Sequence, residues 1–354
     1  MEEQCLRLRG TQGYWYRDDE IAKQTFYAHG FRSGKWARNN NPKTDVYNGN
    51  SYNWKDTSLE EQCQIHPVNL TSFCSTMQQL DIRRLFLVGD SLMGAQFRSL
   101  LGLLGLNIKD YIKASSKSVI TKTAIECPDY EPIQVEFYRE NLGANFGKTN
   151  LTGRTDATLE HRQQFGPETP YCSESDSKAT EKMKEGDYCS WHLRYNDTNA
   201  RTLLILNQGA HFHSIDTFSK SFDQFVTLFN SIAHPRDVVV FRTTVPGHYK
   251  CFEHGINPPN MTHDAFLERY GTTMYDWNLF DAFNQYAKQK MDNLVPTVTS
   301  HYLNVYNMTV LRGDQHVAAN DCLHYTDPGP VDFWNHLLFT NLETFVKNDN
   351  SSRN

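Results

Sequence analysis

Apolar residues fall along the chain in short blocks separated by polar, turn-forming stretches. Arg84-Leu-Phe-Leu-Val-Gly89 is a compact apolar run of the kind that a strand buried on both faces requires. Leu92, Met93, Phe97, Leu100, Leu101 and Leu104 follow at helical spacing, so the run predicts a strand, a turn and a helix. Further strands are predicted near 135–138, 203–206 and 238–241. Phe218, Phe222, Phe225, Phe229 and Ile232 mark a second helix, and Trp277, Phe280, Phe283, Tyr286, Ala287 and Leu294 a third. Val331, Trp334, Leu338, Leu342 and Phe345 mark a last one after Pro328 and Gly329. Apolar strands alternating with helices predict an α/β fold with a mostly parallel sheet covered on both faces. Residues 1–80 hold neither period and are expected to form an irregular lobe rich in Tyr and Trp, followed by the α/β domain over 81–346 and a flexible tail over 347–354.

Charge and composition narrow the function. The net charge of −6, with no run of Lys or Arg, argues against a nucleic-acid partner. No apolar stretch approaches the ~18 residues of a membrane span, and the first residues lack the layout of a signal peptide. A targeting or anchoring segment of a secretory protein would therefore lie outside this sequence. Eight cysteines form an even set without any C-x-x-C pair, which favours disulfides over a zinc or thioredoxin site and leaves the connectivity open. N-x-[ST] acceptors begin at Asn69, Asn150, Asn196, Asn260, Asn307 and Asn350, against roughly two expected at average composition. Both features predict a secretory-pathway protein, in the Golgi lumen or secreted.

Candidate chemistry centres on Gly89-Asp90-Ser91, where the first buried strand turns into a helix. Ligands bind such folds at the carboxyl ends of the strands, and a serine at a helix N-terminus meets free N–H groups that favour a developing oxyanion. The alternative is that Asp90 or Ser91 only caps the helix. A serine hydroxyl needs a base, and Asp321-Cys-Leu-His324 supplies a histidine with a carboxylate three residues away, in a segment read as a loop entering the last helix. His211-Phe-His213 has alternating spacing but no third ligand, so no metal site is expected.

Gly89-Asp90-Ser91 and Asp321-x-x-His324 together resemble the SGNH/GDSL hydrolase superfamily. Within it the chain is similar to the trichome-birefringence-like polysaccharide O-acetyltransferases and their PC-esterase relatives. The similar stretches are Gly13-Tyr-Trp15, Tyr52-Asn-Trp54, Leu206-Asn-Gln-Gly-Ala-His211, Phe241-Arg-Thr-Thr-Val-Pro-Gly-His248 and Asp321-Cys-Leu-His-Tyr-Thr-Asp-Pro-Gly-Pro-Val-Asp-Phe-Trp-Asn335. Tyr325 and Thr326 stand where the family commonly has Trp-Cys, which implies that one family disulfide is absent or rerouted. The resemblance implies a three-layer α/β/α, flavodoxin-like sheet and transfer of acetyl to a glycan hydroxyl through acetyl-Ser91. Ser91, His324 and Asp321 would form the triad, with the oxyanion held by the Ser91 backbone N–H, Asn207 and Gly143. Arg242 and His211 are the candidates for substrate contact, and the aromatic N-terminal lobe for a groove wall. No cofactor is expected; the acetyl donor, acetyl-CoA included, would be a substrate. The alternatives are a carbohydrate acetylesterase using the same triad and a non-catalytic glycan-binding protein.

Overall fold

The computed structural model describes residues 2–17, 52–57, 61–106, 120–139, 191–196, 200–251, 261, 263–270, 276–318, 321–326 and 329–352. Along the first part of the chain these form α1 (Glu2–Leu8), β1 (Gly13–Arg17), β2 (Tyr52–Asp56), α2 (Leu70–Gln79), β3 (Arg84–Gly89), α3 (Ser91–Leu103), β4 (Ile120–Ile125) and β5 (Ile133–Arg139). Then come α4 (Trp191–Tyr195), β6 (Thr202–Asn207), α5 (Ile215–Ile232), β7 (Val238–Arg242), α6 (His263–Tyr270) and α7 (Phe280–Met291), the last preceded by a 3₁₀ turn at Trp277–Leu279. β8 (Thr299–Leu303), α8 (Tyr306–Val310), β9 (His316–Ala318), β10 (Asp321–Tyr325) and α9 (Pro330–Ser352) complete the order.

The central sheet has six strands in the order β4-β5-β3-β6-β7-β8, all parallel except β4, which runs antiparallel to β5. Every residue of β3, β6 and β7 is buried, as the apolar runs at their centres demand of strands covered on both faces. On one face α3 and α9 pack together, with Phe97 of α3 stacked on Phe137 of β5 at 5.7 Å between centroids. On the other, α5 and α7 pack through Phe218 and Phe283 at 4.5 Å, and Phe222 meets Phe241 of β7 at 5.3 Å. The result is the three-layer α/β/α fold. Truncating a ring such as Phe222 to alanine would cost about 3–5 kcal/mol through lost transfer energy and the cavity left behind.

The edge strands β4 and β8 escape the hydrophobic pattern because Lys122, Ala124, Thr299 and Ser300 are exposed, and the two strands mix polar and apolar positions. Asp321 to Tyr325 form β10, not a loop, pairing antiparallel with β9. With no Gly or Pro after Pro330 to stop it, α9 runs on to Ser352 through the segment expected to be a tail.

Trp15 and Trp54 face each other across the antiparallel β1–β2 pair and are both buried. Trp15 meets Trp54 at 5.5 Å and Phe333 of α9 at 4.7 Å, edge to face, and its Nε1–H donates to Met308 O at 2.8 Å. These two rings pack the lobe against α8 and α9. Disulfides Cys5–Cys63 and Cys74–Cys127 tie α1 and α2 down, and Cys251–Cys322 joins the loop after β7 to β10. Cys172 and Cys189 lie outside the described residues. Among the described residues, no helix is long and apolar enough to cross a membrane.

Candidate functional site

The chain leaves β3 toward β5 on one side and leaves β6 toward β7 on the other, so the loops after β3 and β6 diverge and open a crevice at the carboxyl ends of these strands. Gly89 ends β3 opposite Asn207, and a Cβ there would fall 2.4 Å from Asn207 O and 2.9 Å from Met93 Cβ, so only glycine allows the sharp exit. Asp90 is the N-cap of α3, its Oδ1 accepting Leu92 N–H at 2.9 Å. Ser91 is the first helical residue, half-buried, at the end of α3 where backbone N–H groups lack intrahelical acceptors.

His324 brings its Nε2 to 2.7 Å from Ser91 Oγ. Its Nδ1 lies 2.8 Å and 3.0 Å from the two carboxylate oxygens of Asp321, whose Oδ1 also accepts the His324 backbone N–H at 3.2 Å. In a regular strand residues three apart point to opposite faces. Here the register between β9 and β10 shifts between Asp321 and Tyr325, and this irregularity turns both side chains toward the same point. Burial acts to raise the Asp321 carboxyl; hydrogen bonds from the His324 ring and backbone N–H, with the ring's charge, outweigh it and hold the group below its ordinary value. An ionised carboxylate on Nδ1–H leaves Nε2 as the acceptor for the serine proton.

Three contacts brace β10 from behind. Cys322, between the two polar residues, is bonded to Cys251, and its carbonyl accepts His248 N–H at 2.8 Å. The buried His316 ring donates from Nδ1 to His324 O at 3.1 Å, and its Nε2 lies 2.7 Å from His248 Nδ1. His248 ends one of the stretches that carry the family resemblance, but what makes it and His316 part of the site is the pairing of distant segments.

The other expected site residues fare differently. Asn207 is fully buried and spends both amide protons, on Arg242 O at 2.8 Å and Thr244 Oγ1 at 3.0 Å. Both amide protons of Asn207 are thus directed to the neighbouring strand end at β7. Gly143 lies outside the described residues. The Arg242 side chain is fully buried beneath α3 and α9, against Gln96 and the ring of Trp334. His211 is partly exposed on the turn that leaves β6, on the same edge of the sheet as Ser91. His213 pairs through Nδ1 with Asp276 at 2.7 Å. Among the described residues, no group of three or more His, Cys, Asp or Glu could hold a metal ion.

A mostly parallel sheet between two helical layers, with a serine where its central strand turns into a helix and a His–Asp pair facing it from a late strand, defines an SGNH-like protein. A family model described as PC-Esterase, the GDSL/SGNH-like acyl-esterase family found in Pmr5 and Cas1p, matches residues 65–341. The chain belongs to this family.

Proposed function

We propose that the chain is an O-acetyltransferase of glycans that works through acetyl-Ser91. The observation that carries the reading is the hydrogen-bonded line from Ser91 Oγ through the His324 ring to Asp321, with 2.7 Å and 2.8 Å contacts on the two ring nitrogens. Ser91 Oγ attacks the carbonyl carbon of the donor while His324 Nε2 takes its proton. As the tetrahedral intermediate collapses, the bond to the leaving group breaks, and His324 returns the proton to that group. A sugar hydroxyl then enters, gives its proton to Nε2 and attacks acetyl-Ser91, and Ser91 Oγ departs with the proton. Asp321 holds the ring orientation and stabilises the imidazolium in both halves.

Water in place of the sugar hydroxyl makes the same residues an acetylesterase. The disulfides support a lumenal or secreted location, with the acetyl donor a substrate and no cofactor required.

The test is incubation with p-nitrophenyl acetate or acetyl-CoA, followed by peptide mapping and timed deacylation with and without oligosaccharides. Transfer predicts an adduct of acetyl mass on Ser91, slow release in buffer, and faster turnover with acetyl recovered on sugar. Rapid acetate release that no glycan changes would favour the esterase. An unlabelled Ser91 under every condition would sink both readings.

A further inference from the structure

Behind β10 lie two buried imidazoles that the acyl-transfer chemistry does not use. His248, on the loop after β7, is fully buried, and His316, the first residue of β9, is buried beside it. All of their ring nitrogens have partners. His248 Nε2 lies 2.8 Å from Val310 O, and His316 Nδ1 lies 3.1 Å from His324 O. The other two nitrogens, His248 Nδ1 and His316 Nε2, face each other at 2.7 Å.

These contacts fix the number of protons. A carbonyl oxygen only accepts, so His248 Nε2 and His316 Nδ1 must each carry a hydrogen. A neutral imidazole carries one hydrogen and no more, so two neutral rings would set bare lone pairs against each other at 2.7 Å. A proton between them turns that repulsion into a hydrogen bond of ordinary length. Tyr325 cannot supply it, because its hydroxyl donates to Pro246 O at 2.6 Å and stands 3.5 Å from His248 Nδ1. The pair therefore holds a third ring proton, shared between the facing nitrogens, and one positive charge.

A buried cation needs an acceptor for every N–H, and each of the three has one. The Tyr325 ring lies 4.5 Å from the His316 ring, while Phe266 and Tyr270 of α6 meet the His248 ring at 5.4 Å and 4.7 Å. Gly313 closes the remaining side, where a Cβ would fall 3.2 Å from His248 Cδ2. The titratable and charged groups that these elements bring are Tyr270, Tyr325, His324, Arg312 and Asp314. Arg312 and Asp314 are bonded to each other at 2.9 Å and cancel in charge, and burial keeps the Tyr325 phenol protonated where histidines titrate.

We propose that His248 and His316 are positioning residues for His324: they share one proton at neutral pH, and the charged pair so formed clamps β10 from behind through the bond from His316 Nδ1–H to His324 O. Loss of the shared proton sets the facing lone pairs against each other and loosens His316 together with the carbonyl it holds. The kinetic consequence rests on the acetyl-Ser91 reading; the proton count does not.

The experiment begins with long-range proton–nitrogen NMR of the whole protein carrying nitrogen-labelled histidine, at pH ~7. A coupling across N–H···N identifies the two facing rings without any variant, and three protonated nitrogens in that pair are expected. Two protonated nitrogens, or no coupling between imidazoles, overturns the proposal. Urea unfolding against pH is the second measurement, with His316→Asn as reference, since asparagine keeps an N–H for His324 O and removes the shared proton. Unfolded histidines titrate near ~6.5, so above that value the folded pair binds the extra proton and stability falls as pH rises. One proton corresponds to a factor of about ten per pH unit, so the unfolding constant of the parent should climb toward that slope relative to His316→Asn between pH ~7.5 and ~8.5. Parallel slopes overturn the proposal; if His316→Asn does not fold, His248→Gln, which keeps an N–H for Val310 O, is the reference, and without either the proton count decides. A displacement of about 1 Å at a reacting group costs about 100-fold, and His316→Asn retains one of the two bonds, so Ser91 acetylation by p-nitrophenyl acetate should fall about tenfold with KM within about twofold. The parent rate should decline at high pH as the shared proton leaves, and that decline should vanish in His316→Asn. An unlabelled Ser91 in the parent refutes the acetyl-serine reading and leaves the proton count standing, whereas a three-proton pair with His316→Asn acetylating within about twofold of the parent refutes the positioning role alone.

Discussion

Asp321→Asn separates a structural pairing from a working one, because asparagine preserves nearly everything except the charge. Its Oδ1 can still accept the His324 backbone N–H, a contact of 3.2 Å in the parent, so the turn should survive and the thermal midpoint should fall little. What changes is the ring. A carboxylate accepts only, and so fixes the proton on Nδ1; a carboxamide can present its NH₂ to Nδ1 instead and stabilise the tautomer whose Nε2 already bears a proton. At the observed 2.8 Å, a unit charge pair is worth about 6 kcal/mol at an effective dielectric of ~20 and about 1.5 kcal/mol at ~80. Side-chain exposures of 19% for His324 and 32% for Asp321 put the pair between these limits. At ~1.4 kcal/mol per factor of ten, a loss of about 10²–10⁴ in the rate of Ser91 acetylation is expected. Stopped-flow release of p-nitrophenol measures that rate directly, and the midpoint of thermal unfolding checks that the variant is folded. A folded Asp321→Asn protein that retains more than about a tenth of the parent rate would refute the assigned role.

Three further outcomes are expected. Replacing Cys251 and Cys322 together by alanine opens a loop of 71 residues, which costs up to roughly 4 kcal/mol in the chain-entropy account, and frees β10 behind His324; calorimetry should show a lower midpoint and the acetylation assay a lower rate, whereas an unchanged rate would deny the disulfide any part in holding the site. Burial pushes the Asp56 carboxyl up to about 6, above its unfolded value of about 3.9, so its contribution to stability is full below that unfolded value and fades as pH rises through 6; Asp56→Asn should gain stability relative to the parent between pH ~4 and ~7, and parallel melting curves over that range would contradict this. In a eukaryotic secretory host, Asn69 and Asn196, which use only Oδ1 in hydrogen bonds, should carry glycan more fully than Asn307, whose Nδ2–H donates to Thr11 O at 2.7 Å; glycopeptide mapping with Asn307 the most occupied would reverse the order.

The sequence made the central layers legible and left the edges and supports obscure, for one physical reason. Burial on both faces forces the middle residues of β3, β6 and β7 to be apolar, so a local run is enough to find them. β4 and β8 pair along one edge only, and their exposed positions are free to be Lys122, Thr299 or Ser300, which erases the pattern. The same contrast runs through the site. Gly89-Asp90-Ser91 and Asp321-x-x-His324 stand out because their geometry is set within a few residues: a glycine that lets two strand ends approach, a cap, and a bulge that aims two side chains together. Asn207 and Arg242 were legible as polar residues at strand ends and illegible as to direction, since one residue of register decides whether such a side chain enters the crevice or the interior. For both, the interior won: Asn207 closes on Arg242 O and Thr244, and Arg242 turns under α3 toward Gln96 and Trp334. Residues that support the site from inside the protein therefore need the strand pairing to be known before their part can be read, whereas residues that face the crevice on a local turn do not.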